Sequence, residues 1–105
     1  MNGTPGLSAY EMAKGAISAL TRNASQEWAQ FGIVTNVFLP LIRTEQFIES
    51  RFAAFEERLA AQNPCRRMGD AYTDCAPVLA FLASEGAGYV NGQAIAIDGG
   101  ARLIA

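Results

Sequence analysis

Apolar side chains recur at helical spacing in the first third of the chain. The positions are Met12, Ala16, Ile17, Leu20, Ala24 and Trp28. This period predicts an amphipathic helix over residues 9–30. Ser8 and Glu11 have the Ser-x-x-Glu spacing of a capping box at the start of that helix. Gly32 follows its end, where a left-handed C-terminal cap is expected.

Two apolar runs rich in β-branched residues predict strands over residues 33–39 and 93–97. Pro40 ends the first run. Because that run is apolar at nearly every position, we expect it to be buried on both faces, as in a parallel sheet. The second run is followed by Asp-Gly-Gly at 98–100, which we interpret as a turn.

Two further helices are predicted between these strands. An apolar stripe predicts a helix over residues 45–62, and the Asn-Pro pair at 63–64 ends it. The next helix begins near Thr73, because Pro77 then lies in the first turn, where backbone N–H groups lack helical partners. Gly86 is expected to end this helix.

The order helix, strand, helix, helix, strand indicates that the two strands are parallel and joined by a helical crossover. Such strands belong to an α/β sheet that is covered by helices on both faces. Two parallel strands do not make such a sheet alone. We therefore expect the first strand to need neighbouring strands that this sequence does not contain.

Composition limits the classes of function. The 105 residues suit one domain at most, and half of them are apolar, so the chain should bury a core. The net charge is −2 and no basic cluster is present, which argues against a nucleic-acid surface or an anionic-membrane surface. No apolar run approaches the roughly 20 residues that span a bilayer. Residues 1–6 lack the features of a signal peptide, so we expect a cytoplasmic setting.

The chain contains no histidine. A Ser-His-Asp triad or a Cys-His nucleophile is therefore excluded. A zinc site is not expected either, because the sequence also lacks a C-x-x-C motif, and we predict no metal. Cys65 and Cys75 are interpreted as reduced thiols in the core or in loops, with a redox pair as the alternative.

Lys14 is the only lysine and stands four residues after Tyr10. This spacing places an ammonium and a phenol on one face of a helix, about one turn apart. Since a nearby ammonium favours the phenolate form, the tyrosine could serve as a general acid and base. From the pair alone, a half-buried tyrosine beside a solvated lysine remains the alternative.

Three other segments have patterns that could indicate ligand binding. Phe47, Phe52 and Phe55 follow the C-terminal end of the first strand, where ligands bind in α/β proteins, and they indicate either a core cluster or an apolar ligand pocket. The glycine-rich segment 86–92 lacks the third glycine of G-x-G-x-x-G and follows a helix, so we interpret it as a connecting turn. The Asp-Gly-Gly at 98–100 lacks the rest of a calcium loop.

Several segments carry motifs in a characteristic order and at characteristic separations. They are Tyr10-x-x-x-Lys14, Ala19-Leu20-Thr21-Arg22, Glu27-Trp28-Ala29, Gly32-Ile33-Val34-Thr35-Asn36 with Pro40 and Thr44, Arg67-Met68-Gly69, Phe81-Leu82-Ala83-Ser84, Tyr89-Val90-Asn91-Gly92-Gln93 and Asp98-Gly99-Gly100. Together they resemble the C-terminal half of a short-chain dehydrogenase/reductase, nearly from end to end.

The resemblance implies an α/β fold with a Rossmann-like, doubly wound parallel sheet. Residues 1–105 would form the C-terminal part of a single NAD(P)-binding domain whose N-terminal half is missing. The implied activity is that of an NAD(P)-dependent oxidoreductase that interconverts a small-molecule carbonyl and an alcohol. A homo-oligomer is implied as well, because the tyrosine helix of the family commonly builds subunit interfaces.

The resemblance also implies roles for individual residues. Tyr10 would exchange the proton with the substrate oxygen, and Lys14 would stabilise the phenolate and hydrogen-bond the nicotinamide ribose. Pro40, Ile42 and Thr44 would lie against the nicotinamide. Residues 45–62, which include Phe47, Phe52 and Phe55, would form the variable lid over the substrate.

This sequence departs from the family pattern in three ways. It lacks the glycine-rich cofactor loop and the residue that selects NAD or NADP. The catalytic serine of the family would fall before Met1, and Ser8 lies too close to Tyr10 to replace it. The usual Pro-Gly is Pro40-Leu41, with Thr44 one position early. Two alternatives to a piece of a longer enzyme therefore stay open: a non-catalytic relic that acts as an interaction or oligomerisation module, and an unrelated small α/β binding domain.

Overall fold

The computed structural model describes residues 5–49 and 53–101. The helices are α1 (Ser8–Trp28), α2 (Glu45–Glu49), α3 (Glu56–Gln62) and α4 (Ala76–Leu82), and the strands are β1 (Val37–Pro40), β2 (Ile42–Arg43), β3 (Gly69–Asp70) and β4 (Ala94–Ile97). The chain divides into two compact units. The first unit contains residues 5–37 and 88–94, and the second contains the other described residues.

The long N-terminal helix is confirmed, but its predicted start is wrong. Helix α1 begins at Ser8, and Leu7 occupies the N-cap position, where it has no side-chain oxygen to cap the helix. The expected capping box is therefore not formed, because Ser8 lies inside the first turn. A 3₁₀ turn, Ala29–Phe31, extends the helix. Gly32 then adopts the predicted left-handed conformation, with φ of 76°, and its N–H donates to the carbonyl of Ala29.

The parallel pairing of the two predicted strands is confirmed. Strands β1 and β4 are neighbours in one sheet. Val37 N–H donates to the Gln93 carbonyl at 2.9 Å, and Leu41 N–H donates to the Ile97 carbonyl at 2.9 Å, so both strands advance in the same direction. The protein is thus an α/β structure with parallel strands, as expected for part of a Rossmann-like fold.

The first strand is shorter and more exposed than predicted. It begins at Val37, and the two residues before it bond to the segment 88–94 mostly through asparagine side chains. Thr35 N–H donates to Asn91 Oδ1 at 3.0 Å, and Asn36 Nδ2 donates to the Val90 carbonyl at 2.8 Å. Phe38 is 41% exposed, so the expectation of burial on both faces of this strand is wrong for the described residues.

A second two-stranded sheet was not predicted. Strands β2 and β3 are parallel, with Ile42 opposite Gly69 and Arg43 opposite Asp70. Strands of two residues are too short to show an alternating apolar pattern in the sequence. The segment that follows Pro40 is therefore partly strand and not only a loop.

The prediction of one helix over residues 45–62 is wrong. The described part of that range contains α2, a 3₁₀ turn at Ala53–Phe55 and α3. None of the residues of α3 is fully buried, so packing favours one continuous helix only weakly. The predicted end of the helix is confirmed, because Asn63 caps α3 in an extended conformation.

The helix expected near Thr73 begins two residues earlier, with a π-helical turn at Ala71–Cys75 that continues into α4. Pro77 lies near the start of α4, as predicted. The prediction that Gly86 ends this helix is wrong, since α4 ends at Leu82 and Gly86 lies in a separate 3₁₀ turn. The strand β4 and the turn after it are confirmed.

The apolar core of the described residues is small. Its buried side chains are Ala24, Cys75 and Ala87. Large apolar side chains such as Met12, Leu20 and Phe31 are mostly exposed. Polar contacts therefore contribute much of what fixes the geometry within each unit.

Candidate active site

Tyr10 and Lys14 lie on adjacent turns of α1, as the spacing predicts. The Nζ atom of Lys14 is 5.4 Å from the centroid of the Tyr10 ring, within the range of a cation–π contact. The Tyr10 side chain is 56% exposed. The phenol is thus accessible to a small molecule, with a positive charge beside its ring.

Helix α1 is held within the first unit by a buried stripe opposite the segment 88–94. The buried residues of the helix are Thr21, Ala24 and Ser25. Asn91 Nδ2 donates to the Ser25 carbonyl at 2.9 Å, and Asn91 Oδ1 accepts from Thr35 N–H at 3.0 Å. One amide therefore connects the helix to the segment that leads into β1.

Gly92 allows the close approach that this connection requires. Its φ is 71°, and a Cβ atom at this position would lie 2.7 Å from Ser25 Oγ. The Gly92 N–H donates to the Thr35 carbonyl at 2.8 Å. From the sequence, this segment is predicted to be a connecting turn and is one of the motifs that resemble the family. No local signal could reveal the role of Asn91, because its partners lie 56 and 66 residues away in the sequence.

Three predicted cofactor contacts lie in the second unit. Pro40 is the last residue of β1 and is half-buried. Ile42 is half-buried in β2 and packs closely against Gly69, where a Cβ atom would lie 2.9 Å from Ile42 Cγ2. Thr44 is exposed, and its carbonyl accepts from Ile48 N–H at 2.9 Å, which starts α2.

The structure describes the three phenylalanines of the expected lid to different extents. Phe55 ends the 3₁₀ turn before α3 and is 50% exposed. Phe47 belongs to the backbone of α2, but its side chain lies outside what the structure describes. Phe52 also lies outside the described residues. Of the three, only Phe55 can therefore be placed as an accessible apolar side chain.

A charged cluster surrounds the Arg-Met-Gly segment at 67–69. Arg67 forms a bidentate ion pair with Asp74, with Nη1 to Oδ2 at 2.5 Å and Nη2 to Oδ1 at 2.8 Å. The Arg67 guanidinium lowers the pKa of Asp74 to about 2, and the N–H of Asp70 acts in the same direction. Bonds from the N–H groups of Thr73 and Tyr72 lower the pKa of Asp70. This cluster holds the start of the π-helical turn.

The second unit carries surface depressions that are open to solvent. One of about 670 Å³ lies between α3 and the β2–β3 sheet, with Ala53, Ala60, Met68 and several charged side chains in its wall. The smaller, about 270 Å³, is lined by Cys65, Asp98 and Gly99 among others.

Residues 5–49 and 53–101 contain no group of three histidine, cysteine or acidic side chains placed to hold a metal ion. No helix in that part of the chain is long and apolar enough to cross a membrane.

Comparisons with known proteins extend over almost the whole chain. A family model described as Enoyl-(Acyl carrier protein) reductase matches residues 1–102. An NADPH-dependent aldehyde reductase-like protein, chloroplastic, from Arabidopsis thaliana is 36% identical over 97 residues, which are 91% of this chain and 36% of that protein. The 3-oxoacyl-(acyl-carrier-protein) reductase of Staphylococcus aureus is 35% identical over 98 residues, or 93% of this chain and 39% of that enzyme.

The solved structures agree with the sequence relatives. A short-chain dehydrogenase/reductase from Brucella melitensis, described as a glucose/ribitol dehydrogenase, matches with a TM-score of 0.85 and 30% identity over 97% of this chain and 41% of that one. The chain thus spans less than two fifths of the length of the two curated relatives. Both the sequence motifs and the fold lead to the same assignment: the chain belongs to the short-chain dehydrogenase/reductase family.

Proposed function

We propose that this chain carries the proton-transfer residues of an NAD(P)-dependent oxidoreductase that interconverts a carbonyl and an alcohol. The observation that supports this most directly is the exposed phenol of Tyr10 with the Lys14 ammonium 5.4 Å from its ring. The named relatives include an aldehyde reductase-like protein and a 3-oxoacyl reductase, both of which belong to the class that reduces carbonyls.

The residues of α1 fit a nicotinamide nucleotide by their chemistry. Lys14 offers three N–H donors for ribose hydroxyls, and it forms no ion pair with any residue in the described ranges. Pro40, Ile42 and Thr44 supply apolar and hydroxyl groups of the kind that would lie against a carboxamide. The bound cofactor would supply or accept the hydride. The curated relatives support a nicotinamide cofactor in the family, and one of them is named as NADPH-dependent.

Tyr10 performs the proton transfer in this proposal. During reduction, its hydroxyl donates a proton to the substrate oxygen, and the phenolate that forms is stabilised by the Lys14 ammonium. During oxidation the phenolate accepts the proton from the alcohol. General acid–base catalysis of this type contributes about 10²- to 10⁴-fold to a rate. Phe55 and the neighbouring lid segment would present an apolar surface to the substrate.

We further propose that residues 1–105 are the C-terminal part of a single Rossmann-like domain. The polypeptide that bears the glycine-rich loop and the catalytic serine would complete the site, in a cytoplasmic homo-oligomer. The isolated 105 residues are then expected to show negligible turnover, because positioning of the cofactor supplies many kcal/mol of catalysis. Measurable turnover by the isolated chain that Tyr10→Phe abolishes would contradict this part of the proposal.

The test uses the protein as its native source produces it. Its intact mass is measured first, and NADH and NADPH oxidation are then followed with a panel of aldehydes and ketones. Tyr10→Phe should lower kcat by about 10²-fold or more. Tyr89→Phe is the matched control, because Tyr89 is fully exposed and distant in sequence from the proposed site. Equal activity of the two variants would refute the role of Tyr10.

A further inference from the structure

Strand β3 pairs with the segment that is proposed to contact the nicotinamide. Ile42 of β2 lies opposite Gly69, and Arg43 lies opposite Asp70. The Gly69 N–H donates to the Leu41 carbonyl at 3.2 Å. Because strands of two residues share few hydrogen bonds, their pairing alone is weak. The position of residues 40–44 therefore depends on what holds β3.

Gly69 makes the approach of the two strands close. A Cβ atom at this position would lie 2.9 Å from Ile42 Cγ2, 3.1 Å from the Leu41 carbonyl oxygen and 3.6 Å from Asp74 Oδ2. The backbone of residue 69 thus lies against the Ile42 side chain, and the Asp74 carboxylate borders the same space. A displacement of β3 would remove this support from Ile42.

The Asp74 carboxylate bonds to the chain both before β3 and at its end. It accepts two hydrogen bonds from the Arg67 guanidinium, at 2.5 and 2.8 Å, and one from the Asp70 N–H at 2.6 Å. Asp70 is the last residue of β3, and Arg67 comes shortly before its start. Since one planar group makes all three bonds, it fixes Arg67 and Asp70 relative to each other.

The turn that follows β3 holds Asp74 in place. The Asp70 side chain caps this π-helical turn, because its Oδ1 accepts from the N–H groups of Tyr72 and Thr73 at 2.9 Å each. Cys75, the next residue after Asp74, is buried. The pKa values of both carboxyl groups are lowered by the hydrogen bonds that they accept, so both groups are ionised at neutral pH.

The pair of Arg67 and Asp74 contributes to geometry more than to stability. The two side chains are 58% and 24% exposed. An ion pair with this exposure contributes little to the free energy of unfolding. Its bidentate fork nevertheless restricts the orientation of both groups. Substitution of either residue should therefore loosen β3 without unfolding the protein.

We propose that Arg67 and Asp74 are positioning residues for the nicotinamide end of the cofactor. They hold β3 against Ile42 and thereby fix residues 40–44. This inference rests on the proposed function, because it requires that residues 40–44 contact the nicotinamide. Arg67 and Asp74 act through β3 and need not touch the cofactor themselves.

The link to β2 is tested by hydrogen exchange in the protein as its native source produces it. Asp74→Asn should speed exchange of the Gly69 amide by about two- to fivefold. This amide reports on the strand pairing, since it bonds Leu41 and not Asp74. Glu85→Gln is the matched control, because it removes the same charge from an exposed position in the second unit. Equal exchange of Gly69 in both variants, or an equal acceleration at Val37, would overturn the link.

The role toward the cofactor is tested by binding of NADH, NADPH and ADP-ribose, with and without its 2′-phosphate, measured by calorimetry. ADP-ribose lacks the nicotinamide. Asp74→Asn should raise the Kd of the nicotinamide nucleotide by about 3- to 10-fold and leave that of ADP-ribose within about twofold. A purely structural defect would weaken both ligands equally. Arg67→Lys should lie between the unsubstituted protein and Arg67→Met, because an ammonium keeps the charge but not the fork.

The outcomes separate this inference from the proposed function. If the unsubstituted protein bound neither NADH nor NADPH, the proposed function would fail, and the positioning role with it. If the unsubstituted protein bound one of them, the positioning role alone would fail in either of two cases. The first is an equal Kd in Asp74→Asn and Glu85→Gln, and the second is an equal loss of ADP-ribose binding in Asp74→Asn.

Discussion

Gly92→Ala is the substitution whose effect the structure defines most closely. Two costs add at this position. Gly92 has φ of 71°, and an L-residue in the left-handed region costs about 1–2 kcal/mol. The new Cβ atom would also lie 2.7 Å from Ser25 Oγ and 3.2 Å from Ser25 Cβ, so the buried serine must shift. Overpacking of this kind costs about 1–3 kcal/mol.

We therefore expect Gly92→Ala to lower the free energy of unfolding by about 2–5 kcal/mol. Gly15→Ala is the matched control. Gly15 lies in α1, and a Cβ atom there would have no neighbour within 4 Å. Alanine in a helix interior is favoured over glycine by about 0.5–1 kcal/mol, so the same substitution should stabilise the protein.

The assay is urea unfolding of both variants, in the protein as its native source produces it. Addition of Ser25→Ala to Gly92→Ala separates the two costs. It removes the Oγ overlap and should restore the larger share of the steric cost, while the 3.2 Å approach to the Cβ atom of residue 25 and the backbone cost remain. If Gly92→Ala and Gly15→Ala had the same effect, the close approach of the segment 88–94 to α1 would be refuted.

Three further outcomes follow from the described contacts. Lys14→Met should reduce kcat by about 10-fold or more and Lys14→Arg should retain part of it, as pH–rate profiles of both variants would show. The pKa of Asp74 is lowered to about 2 from an ordinary value of 3.8. Its ion pair with Arg67 should therefore stabilise the protein fully above pH 4, and this stabilisation should be lost as the pH falls to 2. Acid unfolding curves of Asp74→Asn should lack that pH dependence. Asn91→Ala should cost about 1–3 kcal/mol in urea unfolding, because the Ser25 carbonyl and the Thr35 N–H lose their partner.

The elements with strong local signals could be predicted from the sequence. Helix α1 has an apolar period over 21 residues, and Gly32 marks its end. The parallel pairing of β1 and β4 follows from the helical crossover between them. The spacing of Tyr10 and Lys14 predicts their proximity, because a helix places residues four apart on one face.

The remaining features depend on contacts that are distant in sequence. The predicted helix over residues 45–62 is interrupted by a 3₁₀ turn at Ala53–Phe55, and none of the residues of α3 is fully buried, which periodicity cannot show. The pairing of β2 with β3 joins two dipeptides that have no pattern of their own. The capping-box prediction is wrong although Ser8 and Glu11 have the required spacing. The helix begins at Ser8, so Ser8 lies in the first turn and not at the N-cap position.

In each unit, hydrogen bonds of an asparagine side chain and the close approach that a nearby glycine permits fix the geometry, as buried apolar side chains do in a larger core. In the first unit, Asn91 bonds the backbone of α1, and Gly92 has no Cβ atom to obstruct that approach. In the second, Asn63 bonds the turn after β4, and a Cβ atom at Gly99 would overlap the Asn63 side chain. Since few apolar side chains are buried, substitutions at these polar pairs should perturb the geometry around Tyr10 and α3 more than substitutions at exposed apolar positions.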